Sequence, residues 1–361
     1  MSQQIPRAQK LATAKTELPP CALRYHPTDP SLIFLGTYKL EESDKSRHGS
    51  IDIYKYLDDT LTLVSSHPTS SAILDLKFCP FDPTLIYTGH STGDLRAWRY
   101  TNSDSTLTPL HSQVLFEGDD VLVTSIIPSQ IHRNRLLVTT TDGYASLVDL
   151  TPTGFSDPIF FETPHDLQCW TGAFGNFAEL SDVVFTGGDD GCLTAHDTRT
   201  PSDMPIFQSK RIHEAGVVAI QTAQPGNALG MGDWFVDKPY TLWTGAYDDC
   251  LRTLDLRVVP GMGLIQGMVP RVKQKQKLGG GVWRFSPSVK QGDNRLLTCC
   301  MYDGARIVGA NEDDEPVVER YFKEDHESMV YGCDWSPEGN KVATCSFYDG
   351  VVHVWSPEVT I

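Results

Sequence analysis

Seven times along the chain a short apolar segment ends in small or hydroxyl residues, meets a polar turn and continues as a second short strand. The first halves read LIFLGT, LIYTG, LLVTT, VVFTGG, LWTGA, LLTCC and VATCS, and the second halves HGSIDIY, TGDLRAW, DGYASLV, DGCLTAH, DDCLRTL, DGARIVG and DGVVHVW. Asp-Gly is a preferred tight-turn pair between antiparallel strands, so each unit reads as a hairpin. The second turn residue falls at Gly49, Gly93, Gly143, Gly191, Asp249, Gly304 and Gly350, in steps of 44 to 58 residues. That period suits one four-stranded blade of a propeller. A further strand precedes each hairpin, with ends such as FCP, FSP and WSP, and stretches such as TPLHSQVLF and PVVERYF supply a fourth.

No amphipathic helix of useful length interrupts this period-2 patterning, so the class is all-β and the architecture a seven-bladed propeller. The expected blades are approximately 22–70, 71–118, 119–164, 165–212, 213–277, 278–325 and 326–357 within a single domain, 1–361. The last unit ends at Trp355 without an outermost strand. The unused strand-like residues Leu11 to Leu18, within 8–18, are therefore expected to close the ring. Closure matters because an open edge invites pairing with another chain.

Composition narrows the function classes. Thirty Lys and Arg against 46 Asp and Glu give a formal net charge of -16, which repels nucleic-acid phosphates and anionic lipid. No signal-peptide core and no membrane-length apolar run is present, which points to a cytoplasmic protein. The nine cysteines lie mostly inside apolar strands and not in CxxC pairs, so packed, reduced thiols are expected, with no metal site or disulfide framework.

Trp98, Trp355 and the pairs His196-Asp197 and Leu254-Asp255 stand where WD40 repeats carry Trp-Asp. The chain therefore resembles the WD40 family over essentially its whole length, although Val148 and Gly309 replace the tryptophan in two units. Irregular stretches narrow the resemblance: LGTYKLEE, GGDDGCL, HEAGVVAI, TGAYDDCLRTLDLR and LGGGVWR. Together they look like the WD40 proteins of diphthamide synthesis, the diphthine methyl ester hydrolases. That resemblance implies hydrolysis of the methyl ester of methylated diphthine, a trimethylammonium-bearing histidine on elongation factor 2; the expected enzyme is a monomer that uses activated water and no cofactor. A non-catalytic scaffold, or a reader of methylated ammonium groups on peptides, is the alternative.

The candidate site residues follow from chemistry at the propeller face that carries the Asp-Gly turns. Tyr247, Tyr302 and Tyr348 occupy equivalent turn positions in three consecutive blades and offer ring faces to a quaternary ammonium group; tyrosine in strands also serves packing alone. Gly279, Gly280 and Gly281 replace the histidine found at this place in sibling blades (His165, His213, His326). They could gather backbone N–H groups around a carboxylate or oxyanion, with Arg284 supplying charge, or merely permit a tight loop. His213 with Asp189 is the candidate general base for activating water, whereas His165 and His326 read as members of buried structural networks. Ser91 sits in a literal GxSxG, but a strand-to-strand turn is the wrong setting for a nucleophile elbow. Arg271, Lys273, Lys275 and Lys277 alternate as a solvated edge strand. Glu41, Glu42 and Asp44 add negative charge to the proposed face, and residues 224–239 form an insertion on the opposite face.

Overall fold

The structure, a computed structural model, describes residues 5–118, 120–259 and 262–358. Its strands form seven antiparallel sheets. The innermost strands are Pro20–Tyr25, Ile73–Cys79, Val123–Pro128, Cys169–Phe174, Val217–Thr222, Arg284–Pro287 and Val330–Trp335. Each touches the next, and the last touches the first, so together they ring a central channel. The architecture is the seven-bladed, all-β propeller expected from the sequence. Among the described residues no helix is long and apolar enough to cross a membrane.

The turn positions explain why the hairpins form. Gly93, Gly143, Gly191, Gly304 and Gly350 all have positive φ, and so does Asp249, at 63°. The left-handed conformation is inexpensive for glycine and tolerated by Asp, whose short polar side chain can bond locally. Gly49 departs from the pattern. Blade one has a longer hairpin in which Lys39–Leu40 pairs with Arg47–His48, so Gly49 lies within a strand. There a Cβ would sit 2.2 Å from the Thr37 carbonyl oxygen, so glycine is needed for close approach and not for a turn.

Each blade interface buries its own apolar cluster, one per neighbouring pair. Between blades six and seven, Phe322 stacks on Trp355 with centroids 4.7 Å apart. Fully burying one such large side chain contributes roughly 1.5–3 kcal/mol, and the sum holds the blades at fixed angles.

The chain starts in the blade where it ends. Gln9–Lys15 pairs antiparallel with Val351–Ser356, from Gln9 opposite Ser356 to Lys15 opposite Val351. The closing strand thus begins before Leu11 and ends before Leu18, because its partner runs out at Gly350, whose carbonyl takes the Thr16 N–H. A second latch joins the Ala8 N–H to the Tyr321 carbonyl of blade six at 3.0 Å.

The insertion after blade five's inner strand crosses the second mouth of the channel. The Leu229 N–H reaches the Pro80 carbonyl of blade two at 2.9 Å, Gly230 lies against Pro27 of blade one, and the Trp234 indole donates to the Asn294 carbonyl of blade six. Trp234 and Phe235 are buried against Trp243, which anchors this strap. Deleting residues 9–15 is expected to lower the thermal midpoint by several degrees, because it exposes the Val351–Ser356 edge and the apolar cluster that Ala12 packs against. A melting curve identical to that of the full chain would contradict this account of ring closure.

Candidate functional site

A β-bulge recurs near the start of the inner strands and builds the open mouth. In six blades the pairing register slips by one residue at equivalent places. A bulge leaves one residue unpaired and redirects its side chain. In blade four the unpaired residue is Trp170 and in blade seven Tyr331, while in blade six Trp283 immediately precedes the inner strand.

These side chains converge. Trp283 lies 4.8 Å from Tyr331, 5.6 Å from Trp170 and 5.9 Å from Tyr247 between ring centroids. Tyr331 continues to Phe347 at 5.4 Å, and Phe347 to Tyr348 at 4.9 Å. All but Tyr348 are half-buried, so ring faces line the rim without being sealed from it. Asp189 stands beside them: a Cβ on Gly216 would meet Asp189 Oδ1 at 2.8 Å and the Tyr247 ring at 3.0 Å. Burial raises the Asp189 pKa. The Trp170 indole N–H faces its carboxyl without reaching hydrogen-bond geometry and draws the value back, while Asp190 adds to the rise. Three buried polar atoms at this rim have no hydrogen-bond partner: Asp189 Oδ1 and the indole nitrogens of Trp170 and Trp283.

The tyrosine triplet of the sequence therefore does not form one box. Tyr247 belongs to the aromatic belt, Tyr348 is 71% exposed at its outer end, and Tyr302 is 60% exposed with no ring contact among the described residues. Trp170, Trp283 and Tyr331, which sequence reasoning missed, do the lining instead.

Below the rim the channel changes from aromatic to charged. Asp75, wholly buried, accepts from Lys77 Nζ at 2.6 Å through both oxygens and from an Arg284 NH at 2.8 Å. The backbone N–H groups of Leu76 and Ile126 also donate to it. Burial opposes its charge, yet Lys77, Arg284 and Arg24 hold the carboxyl well below the usual carboxylate range. Arg284 is thus committed to the channel and not to the glycine loop. The loop glycines serve packing. A Cβ on Gly280 would lie 2.2 Å from the Cys300 carbonyl oxygen and one on Gly281 2.5 Å from the Met301 sulfur, so the loop lies flat against the blade-six turn.

His213 and Asp189 share no hydrogen bond. His213 Nε2 bonds Thr244 Oγ1 at 2.8 Å, its Nδ1 is unpartnered, and the ring is buried. The same His-to-Thr link joins His165 to Thr186 and His326 to Thr344, so His213 takes the structural position of its siblings. In blade four the histidine is completed by Asp190 at 3.0 Å, but in blade five Arg252 occupies Asp248 instead. Ser91 is buried too, and its hydroxyl receives the Ala72 N–H. None of the nine cysteines is in a disulfide. Among the described residues one cluster with metal-ligand residue types, His165, Asp190 and Cys192, has its donors engaged with one another, Thr186 and Thr194.

Burial holds His213 near a pKa of about 3 against an ordinary 6.5. The unfolded chain then binds the extra proton between those values, so the neutral histidine stabilises the fold above about pH 6.5 and this contribution is lost as pH falls towards 3. His213→Gln should cost about 1–3 kcal/mol at neutral pH through the disturbed Thr244 bond, and should flatten part of the acid slope. Chemical denaturation from pH 7 to pH 4 measures both, and an unchanged slope would contradict the buried neutral state.

Comparison with known proteins places this geometry in a family. Residues 319–356 match the family described as WD domain, G-beta repeat. A chain of a solved mitotic checkpoint complex superposes with a TM-score of 0.70 over 99% of this chain and 94% of that one, and at 12% identity the likeness shows the fold alone. A Saccharomyces cerevisiae protein named diphthine methyltransferase is 38% identical, across 97% of this chain and 99% of its own length. The diphthine methyltransferase of Schizosaccharomyces pombe is 30% identical over 95% and 96%, and that of Homo sapiens 27% identical over 90% and 74%. These names correct the expected ester hydrolysis: the reaction the relatives are named for is methyl transfer, and the hydrolase reading is set aside. By identity and full-length coverage, the chain belongs to the diphthine methyltransferase family.

Proposed function

We propose that this protein takes part in methyl transfer at diphthine on elongation factor 2, within diphthamide synthesis, and holds the modified histidine at the aromatic mouth of the propeller. The observation that carries the proposal is the run Trp170, Trp283, Tyr247 and Tyr331 beside Asp189. Diphthine bears a trimethylammonium group, which cannot donate a hydrogen bond. It is recognised by ring faces, each contributing roughly 0.5–2 kcal/mol, and by a carboxylate that balances its charge. Asp189 supplies such a carboxylate when ionised, and a bound cation would favour that form. Holding this end fixes where the rest of the side chain lies, and methyl transfer depends on alignment of the acceptor atom with the methyl-bearing bond.

The net charge of -16 fits a cationic target, since acidic surface raises the rate of encounter with positively charged groups. The strap across the second mouth leaves the aromatic rim as the approach for a side chain still attached to a protein.

The reaction is tested by incubating the protein with diphthine-bearing elongation factor 2 and an added sulfonium-type methyl donor, whose methyl–sulfur bond breaks as the methyl group is transferred, then weighing the peptide that contains the modified histidine. A gain of one methyl group, dependent on the protein, is expected. An unchanged peptide, or one that loses a methyl group, would overturn the proposal.

Recognition is tested by substitution. Trp283→Leu removes the ring that touches three others and should reduce kcat/KM by about two- to thirtyfold with a near-normal melting curve. Tyr302→Leu should be close to wild type, because that ring is mostly exposed and outside the belt. Full activity in the Trp283 variant would contradict the assignment of the mouth.

A further inference from the structure

Three cations face the channel directly beneath the aromatic rim, in a protein whose overall charge is strongly negative. Arg284 follows Trp283 in the chain, so its layer lies one residue inward, about 3.3 Å of strand rise. Asp75 shares that layer, because both sit one residue beyond the rim position of their blades. Arg24 and Lys77 come two residues deeper, and Lys77 reaches back up to Asp75. Arg24, Lys77 and Arg284 border a cavity of about 230 Å³ that Trp170 and Trp283 also line.

The charges in this layer do not balance. Asp75 is saturated by Lys77, Arg284, Ser125 and two backbone N–H groups. Arg284 spends one guanidinium nitrogen on Asp75, and Arg24 spends one on the carbonyls of Leu23 and Cys333. The remaining guanidinium N–H groups make no hydrogen bond among the described residues. The other acid near them, Asp334, is engaged by the Tyr25 N–H and the Ser286 hydroxyl, and burial raises its pKa. Burial opposes the charge of Lys77, as do Arg24 and Arg284 beside it, while Asp75 favours it. Cations with spare donors in a recessed pocket suit an anion with two oxygens, because guanidinium and carboxylate match in geometry and charge-assisted bonds are the stronger kind.

We infer that Arg284, Lys77 and Arg24 form a carboxylate subsite, which takes the anionic end of the same side chain whose trimethylammonium group sits among Trp170, Trp283, Tyr247 and Tyr331. The inference rests on the reading of the mouth as a diphthine site. Diphthine carries its carboxyl group beside its ammonium group, and one strand residue separates the aromatic layer from the Arg284 layer. Asp75 acts as a positioning residue that holds Lys77 and Arg284 in place.

The test uses the full chain and three small probes that separate the two ends: glycine betaine, its methyl ester and choline. All carry trimethylammonium, but only the first carries a carboxylate. Ligand-observed NMR titration of wild type is expected to show glycine betaine binding about tenfold more tightly than its ester or choline. Arg284→Met and Lys77→Met should each reduce that preference to about twofold or less while choline still binds. Equal affinities for the three probes in wild type would overturn the carboxylate subsite and leave the aromatic mouth standing. Absence of binding by every probe would overturn both. Melting curves accompany the variants, and should either fail to fold, the wild-type comparison decides alone.

Discussion

Everything at the mouth depends on the pairing of the first strand with the last. A propeller blade contacts only its neighbours, so the inner strands form a ring of fixed diameter only when the chain meets itself. Gln9–Lys15 against Val351–Ser356 makes that junction, and the Ala8 latch to blade six extends it. With the ring closed, blades four, five, six and seven are locked in sequence, and Trp170, Tyr247, Trp283 and Tyr331 come within stacking distance although they span most of the second half of the chain. A gap at the junction would act on blade seven first, where Tyr331 and Phe347 reside.

The recurring bulge turns this frame into a site. In a regular strand alternate side chains point to opposite faces, and successive residues of an inner strand would not all line the channel. In six blades the unpaired residue breaks the alternation and gives the blade one extra side chain at the rim. Blades four and seven use it for aromatics, blade six places Trp283 just before its inner strand, and blade two uses the position after the bulge for Asp75. The channel is thus layered, with an aromatic rim that tolerates a cation above a cationic layer that tolerates an anion, and the strap from blade five crosses the far side.

Most of the fold was legible in the sequence because the hairpins repeat a local rule. Asp-Gly sets the turn, period-2 patterning sets the strand, and even Asp249 behaves as its alignment requires. The site was less legible. Tyr247 could be found because it occupies a repeated turn position, but Tyr302 and Tyr348 at the same position point to solvent. Trp170, Trp283 and Tyr331 follow a buried Cys169, Val282 or Val330 near the start of their strands, and that recurrence was the available signal. Its meaning needed the bulge, which no single strand reveals. His213 misled for the opposite reason: next to an acid in sequence alignment it reads as a base, whereas burial and Thr244 make it a structural histidine. The named reaction lay beyond the residues altogether, since one trimethylammonium site serves methyl transfer and ester cleavage alike, and full-length relatives were needed to choose.

If diphthine enters the aromatic mouth, the seven tryptophans of the chain report its arrival. Five are in blade cores or in the strap, while Trp170 and Trp283 alone line the rim, each with a buried, unpartnered indole N–H. In an NMR titration with a diphthine-bearing fragment of elongation factor 2, the indole resonances of Trp170 and Trp283 should shift together as the other five hold still. Binding that leaves those two resonances unmoved would place diphthine elsewhere on the protein.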